Sequence, residues 1–134
     1  MADLKWMVGR SIVSVALARP SLWVFGFDSV GAIAVETSWR ILKGGRIVLS
    51  NEDHGQRFGL PTAIDARIKA TELLSALAVS GSEVREGTLD LFLEFAGGFR
   101  LEVLPISSGY ESWQIIDPGG RQIFAQGGGN LVEP

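Results

Sequence analysis

The hydrophobic positions of this chain follow two rhythms. From Leu89 to Phe95, Leu89, Leu91, Leu93 and Phe95 alternate with Asp90, Phe92 and Glu94. A period of two sends alternate side chains to opposite faces of a strand, so this stretch predicts one face packed on a core. Gly97-Gly98 offers the positive-φ positions of a tight hairpin, and Leu101 and Val103 return with Arg100 and Glu102 facing outward. In the first third, Ile33, Val35, Trp39 and Ile41 share one parity, which predicts a single long strand from Ala32 to Leu42. Lys43-Gly44-Gly45 and Pro118-Gly119-Gly120 read as turns into the strands Arg46–Ser50 and Arg121–Ala125.

The same phrase occurs twice. Ser38-Trp39-Arg40-Ile41 returns as Ser112-Trp113-Gln114-Ile115, and Gly44-Gly45-Arg46 as Gly119-Gly120-Arg121. Upstream, Trp23, Phe25, Phe27, Ile33 and Val35 fall on Leu91, Leu93, Phe95, Leu101 and Val103 at a constant spacing of 68 residues. The tryptophans are 74 apart, so the second copy holds six more residues, "PISSGY", where the first runs straight through. An internal duplication follows. Opening strands at Ser11–Arg19 and about Glu83–Gly87 complete two antiparallel meanders of about four strands each.

The second rhythm is helical. In "LPTAIDARIKATELLSALAVSG", Pro61 and Thr62 suit a helix start, and Ser80 or Gly81 a stop. At about 100° per residue, Ala63, Ala66, Ala70, Leu73, Leu74 and Leu77 share one face, opposite Asp65, Lys69 and Glu72. Ile64 and Ile68 fall on a flank, either packed under the preceding loop or forming a small apolar contact patch. Leu22, Val24, Ala32 and Ala34 occupy the outward parity of the first meander, so its second face calls for a cover. The helix is the expected cover, and a second subunit the alternative.

The predicted fold class is therefore α+β, mainly β, sandwich or barrel-like, in one domain spanning residues 1–134. Repeat 1 covers about residues 9–50, the helix about 62–78, repeat 2 about 82–125, and a flexible tail 126–134.

Composition narrows the function classes. The chain has 134 residues, 46% hydrophobic and 20% charged, as expected of one globular domain. A net charge of −3 argues against nucleic acid, whose binders carry basic stripes. With no cysteine, disulfides, thiolate chemistry and Cys-type zinc sites are excluded. "MADLKWMVGRSIVSV" shows no signal peptide, and no run approaches the roughly 18 apolar residues of a membrane span. A cytoplasmic bacterial protein with no membrane partner is the expectation.

Chemistry is scarce. The single histidine lies in "SNEDHGQR", where Asn51, Glu52, Asp53 and His54 form either a solvated polar loop or a small polar site for a metal or a proton. A catalytic metal usually needs three protein ligands, so no metal and no cofactor are assigned. "QGGGN" at Gly127–Asn130 precedes no helix that would hold an anion, and reads as a flexible tail or turn. The six-residue excess places Ser107, Ser108, Tyr110 and Glu111 on one rim. It is either a binding loop or a corner where the strand changes sheets, pinned by Tyr110.

"SGYESWQI" after the "LDLFLEFAGGFRLEV" hairpin resembles a family of small bacterial proteins with a late glycine–tyrosine–glutamate–x–tryptophan signature, here Gly109 to Trp113. The likeness covers residues 84–128. It implies no defined activity, and by analogy adds weight to an immunity protein. The leading reading is a non-catalytic protein that recognises another protein, as an immunity or accessory factor does. A second copy of the chain is a further candidate partner. One alternative is a small-molecule binder with Trp23, Trp39 and Trp113 lining a cavity between the meanders. The other is a metal-dependent hydrolase using the Glu52–His54 loop with Glu111, which requires His54 and Glu111 in one pocket.

Overall fold

A computed structural model describes residues 3–134; Met1 and Ala2, where the N-terminal stretch begins, lie outside them. Two antiparallel sheets face one another as a sandwich, mainly β, with one helix between the repeats in sequence. The first repeat supplies five strands: β1 (Ile12–Arg19), β2 (Leu22–Phe27), β3 (Ala32–Val35), β4 (Ser38–Lys43) and β5 (Arg46–Ser50). Helix α1 (Ala66–Leu74) follows. The second repeat gives β6 (Val79–Val84), β7 (Leu91–Phe95), β8 (Phe99–Leu104), β9 (Trp113–Ile116) and β10 (Gln122–Gln126), and β11 (Asn130–Val132) closes the chain. One sheet runs β1-β2-β3-β9-β10-β11 and the other β5-β4-β8-β7-β6.

Each repeat thus places three strands in one sheet and its next two in the other. The registers match across the repeats. Val35 lies opposite Trp113 and Ile33 opposite Ile115 where β3 meets β9. Val103 lies opposite Trp39 and Leu101 opposite Ile41 where β8 meets β4. These are the same pairings under the spacings read from the sequence, so the two copies exchange strands about a pseudo-twofold axis. Trp39 and Trp113 take equivalent buried positions, each 1% exposed.

Ala32–Leu42 is not one strand. The chain leaves the first sheet after Val35 and enters the second at Ser38, so both copies change sheets at the same point. The shared parity of Ile33, Val35, Trp39 and Ile41 survives because both inner faces point at one core. The first copy crosses in two residues, Glu36 and Thr37, and the second takes the longer route. The two crossings are sewn together: Thr37 Oγ1 donates to the Leu104 carbonyl at 2.8 Å, and the Glu36 N–H to the Ser112 carbonyl at 2.8 Å.

The helix is shorter than the expected residues 62–78. Asp65 is its N-cap, accepting the Arg67 N–H at 3.0 Å, while residues 55–64 are held as a loop by Gly55 N–H to Ile64 O and Ile64 N–H to Gln56 O. Ala66, Ala70 and Leu74 are buried as the apolar face predicts. That face does not cover the outer face of the first sheet. It packs against β1 and β5, the two strands that border one open edge of the sandwich, and plugs that edge. Leu22, Val24, Ala32 and Ala34 remain half-exposed. Ile64 packs against the core, while Ile68 stands 59% exposed.

The outer face of the other sheet is charged, as its sequence implies. The buried Glu102 carboxylate accepts from Arg40 Nε at 2.6 Å and Arg100 Nε at 3.0 Å, and Arg100 also reaches Glu94. Residues 126–134 correct the expectation of a flexible tail. Gly127–Gly129 make a turn, and β11 pairs with β10 at the sheet edge. Among the described residues, no helix is long and apolar enough to cross a membrane.

Candidate functional site

Two places gather exposed or oriented groups: the longer crossing, and a cleft beside the shorter one.

The longer crossing comprises the loop at residues 105–111. It is a sheet-switching corner, yet Tyr110 does not pin it, because that side chain is 83% exposed. The backbone holds the loop instead. Ser107 Oγ accepts the Gly109 and Tyr110 N–H groups at 3.0 and 2.9 Å, and the Ser107 carbonyl accepts the Gly128 N–H at 3.1 Å. Gly127 sits directly on Gly109: a Cβ at Gly127 would fall 2.4–2.5 Å from three Gly109 backbone atoms. The glycine run therefore serves as a platform for the loop, a close approach only glycine permits. Ser107 is spent in shaping the turn, while Ser108 and Glu111 are exposed. Beside Tyr110 the loop also presents Ile106, 79% exposed, which no periodicity or motif marks in the sequence. Glu111 borders a shallow depression with Gly109, Phe124, Gln126, Gly127 and Val132. Partial burial, and then the nearby Glu36 carboxylate, push the Glu111 carboxyl above its ordinary range.

The second place is a cleft of about 430 Å³ lined by Leu17, Ser21, Trp23, Glu36, Thr37, Ser38, Asn51 and His54. His54 is not a solvated loop residue. Its Nδ1 accepts the Ala66 N–H at 3.1 Å at the start of α1, and its ring meets Trp23 edge-on at 5.4 Å between centroids. A ring that accepts at Nδ1 carries its proton on Nε2. Asn51 is fixed the same way, its Oδ1 accepting the Trp39 N–H at 2.9 Å, which leaves its amide N–H groups as donors. Glu36 meets Arg19 at 3.6 Å on the rim. Next to His54, Asp65 is held down to about 2, chiefly by its hydrogen bond to the Arg67 guanidinium.

The polar site expected at Glu52, Asp53 and His54 is divided by this geometry. Ser50 Oγ accepts the Glu52 N–H at 3.2 Å, and Asp53 Oδ2 the Ser50 N–H at 2.9 Å, so Asp53 closes a capping box. His54 turns away into the cleft. His54 and Glu111 line different depressions, so the pocket required by the hydrolase reading is not formed by them. Among the described residues, no three His, Asp or Glu side chains are placed to hold a metal. Trp39 and Trp113 are core residues, and of the three tryptophans proposed to share a cavity only Trp23 reaches the cleft.

His54→Ala removes the acceptor for the Ala66 N–H and a contact of Trp23. It should cost about 0.5–2 kcal/mol, the usual loss for a helix cap, and speed amide exchange at the start of α1. Exchange and melting identical to wild type would show that the cap contributes nothing.

Of the cleft residues, Glu36 carries no motif that marks it in the sequence, whereas Ser38 opens the repeated Ser-Trp-x-Ile phrase and Ser21 is marked by the repeat spacing. At the 68-residue spacing, Ser21 stands where the second repeat has Leu89. Comparison with family models, curated proteins and solved structures finds no match to this chain.

Proposed function

We propose that this chain is a non-catalytic recognition protein that binds another protein through the loop at residues 105–111. The observation that supports the reading is Ile106 and Tyr110, two large side chains held 79% and 83% exposed on a backbone fixed from beneath. Exposed apolar side chains scattered singly need no explanation, but two large ones on one ordered loop mark that loop as a contact surface for a partner. Fixing the loop in advance lowers the entropy lost on association, and a tyrosine gives much contact area for few torsions. Ser108 and Glu111 supply a polar rim, and the depression at Phe124 and Val132 a neighbouring apolar floor. An immunity factor is the role to which the glycine–tyrosine–glutamate–x–tryptophan resemblance adds weight by analogy, with an accessory factor as the broader form of the same reading. Partial neutralisation of Glu111 in such an interface would ease its desolvation.

The test separates recognition from architecture. An Ile106→Ser, Tyr110→Ala double variant should melt within about 0.5 kcal/mol of wild type, as surface changes do. It should weaken binding to the partner cross-linked by the wild-type chain by more than about 2 kcal/mol. A stability loss on the scale of a buried tryptophan would make the loop architecture. Undiminished capture of the same partner would remove it from the interface.

A further inference from the structure

The pseudo-symmetry is broken at one corner. In the second repeat, Leu89 turns the chain with φ +63°, its side chain is 4% exposed, and its carbonyl accepts the buried Trp113 Nε1–H at 2.8 Å. The first repeat has Ser21 at that position, with φ +69°. Ser21 is exposed, and the equivalent Trp39 Nε1–H is buried with no hydrogen-bond partner among the described residues. A buried donor left in that state costs roughly 1–3 kcal/mol, so native chains rarely keep one without a reason. What the first repeat gains is the open cleft. Trp39 lies behind the cleft lining, its ring against Trp23 at 5.2 Å and its backbone N–H donated to Asn51 Oδ1.

We infer that this cleft is a binding site for a neutral polyhydroxylated small molecule of the saccharide class. Three features carry this. First, its donors are oriented in advance: Asn51 Nδ2 and His54 Nε2 are aimed by backbone N–H groups that occupy the other polar atom of each side chain. Second, its polar groups alternate in kind. Glu36 accepts, Asn51 and His54 donate, and the Ser21 and Ser38 hydroxyls do both, which matches a ligand whose hydroxyls also do both. Third, the one carboxylate on the lining is not left alone to attract a cation. Glu36 is met by Arg19 at 3.6 Å, and His54 Nδ1 is occupied by the Ala66 N–H. Leu17 and Trp23 provide the apolar part of the lining for C–H groups, and the volume falls within the range of small-ligand clefts. None of residues 105–111 lines the site, although Glu36 lies near enough to the Glu111 carboxyl to raise it.

The experiment is a two-dimensional NMR titration of the full chain with glucose, galactose, N-acetylglucosamine and maltose, alongside glucose 6-phosphate and glucosamine as charged analogues. At least one neutral sugar should give saturable shifts at the Asn51 side-chain amide and the Trp23 and Trp39 indole N–H signals. The phosphorylated and cationic analogues should bind at least tenfold more weakly. Ser21→Leu grafts the second repeat's residue into the first, at a backbone angle that Leu89 already tolerates. It should leave the melting curve at or above wild type while weakening sugar binding at least tenfold. The inference is overturned if no neutral sugar shifts these signals, if a charged analogue binds better, or if Ser21→Leu binds as wild type does.

Discussion

Trp113→Ala should cost about 3–5 kcal/mol, the loss of transfer energy plus the cavity left in a packed core. That is much of the net stability of a typical domain, about 5–15 kcal/mol. Trp39→Ala should cost a similar amount, because both indoles are 1% exposed at equivalent positions. The phenylalanine variants divide the two sites. Trp113→Phe deletes a donor whose partner, the Leu89 carbonyl, is left without it; Trp39→Phe deletes a donor that has no partner among the described residues. The volume change is the same in both. Trp113→Phe should therefore be worse than Trp39→Phe by about 1–3 kcal/mol. Urea denaturation of the four variants measures this directly. Equal losses for the two phenylalanine variants would mean that the indole N–H groups are not treated differently by the two repeats.

Gly127→Ala is the second large effect expected. The position has an ordinary φ, so the cost is steric, arising where the new Cβ meets the Gly109 backbone at 2.4–2.5 Å. Backbone cannot swing aside as a flexible side chain does, and such overpacking costs about 1–3 kcal/mol. The displaced element is the loop carrying Ile106 and Tyr110, so the variant should also be cut faster by protease near residues 107–110 and bind the partner less tightly. Gly81→Ala is the control. It lies in β6, where an added Cβ would meet nothing within 4 Å, and should change stability by less than about 0.5 kcal/mol. A Gly127→Ala protein with wild-type melting and protease resistance would mean that the loop does not rest on the glycine turn.

The local pattern of the chain set much of this in advance. A period of two and the glycine turns specify strands and hairpins through backbone sterics alone, and the repeated Ser-Trp-x-Ile phrase specifies that two copies fold alike. The copies did so, down to Val35 facing Trp113 and Val103 facing Trp39. Apolar parity cannot say which sheet a strand joins. Both inner faces of a sandwich look onto one core, so a strand that crosses between sheets keeps its alternation. That is why the break at Glu36–Thr37 was invisible, and why the helix's apolar face did not reveal whether it covers a sheet or fills an edge. Gly127–Gly129 read as a flexible tail or a turn, and the turn is what forms; a sequence shows the freedom of glycine, but not the neighbour that needs its missing side chain. His54 likewise read as either solvated or part of a small polar site until the turn closed by Asp53 carried it to the start of α1 and the ring of Trp23. Local sequence determined the elements, because propensity and side-chain alternation act over a few residues. Only the tertiary structure decided the cleft and the loop platform, because each depends on contacts between segments tens of residues apart.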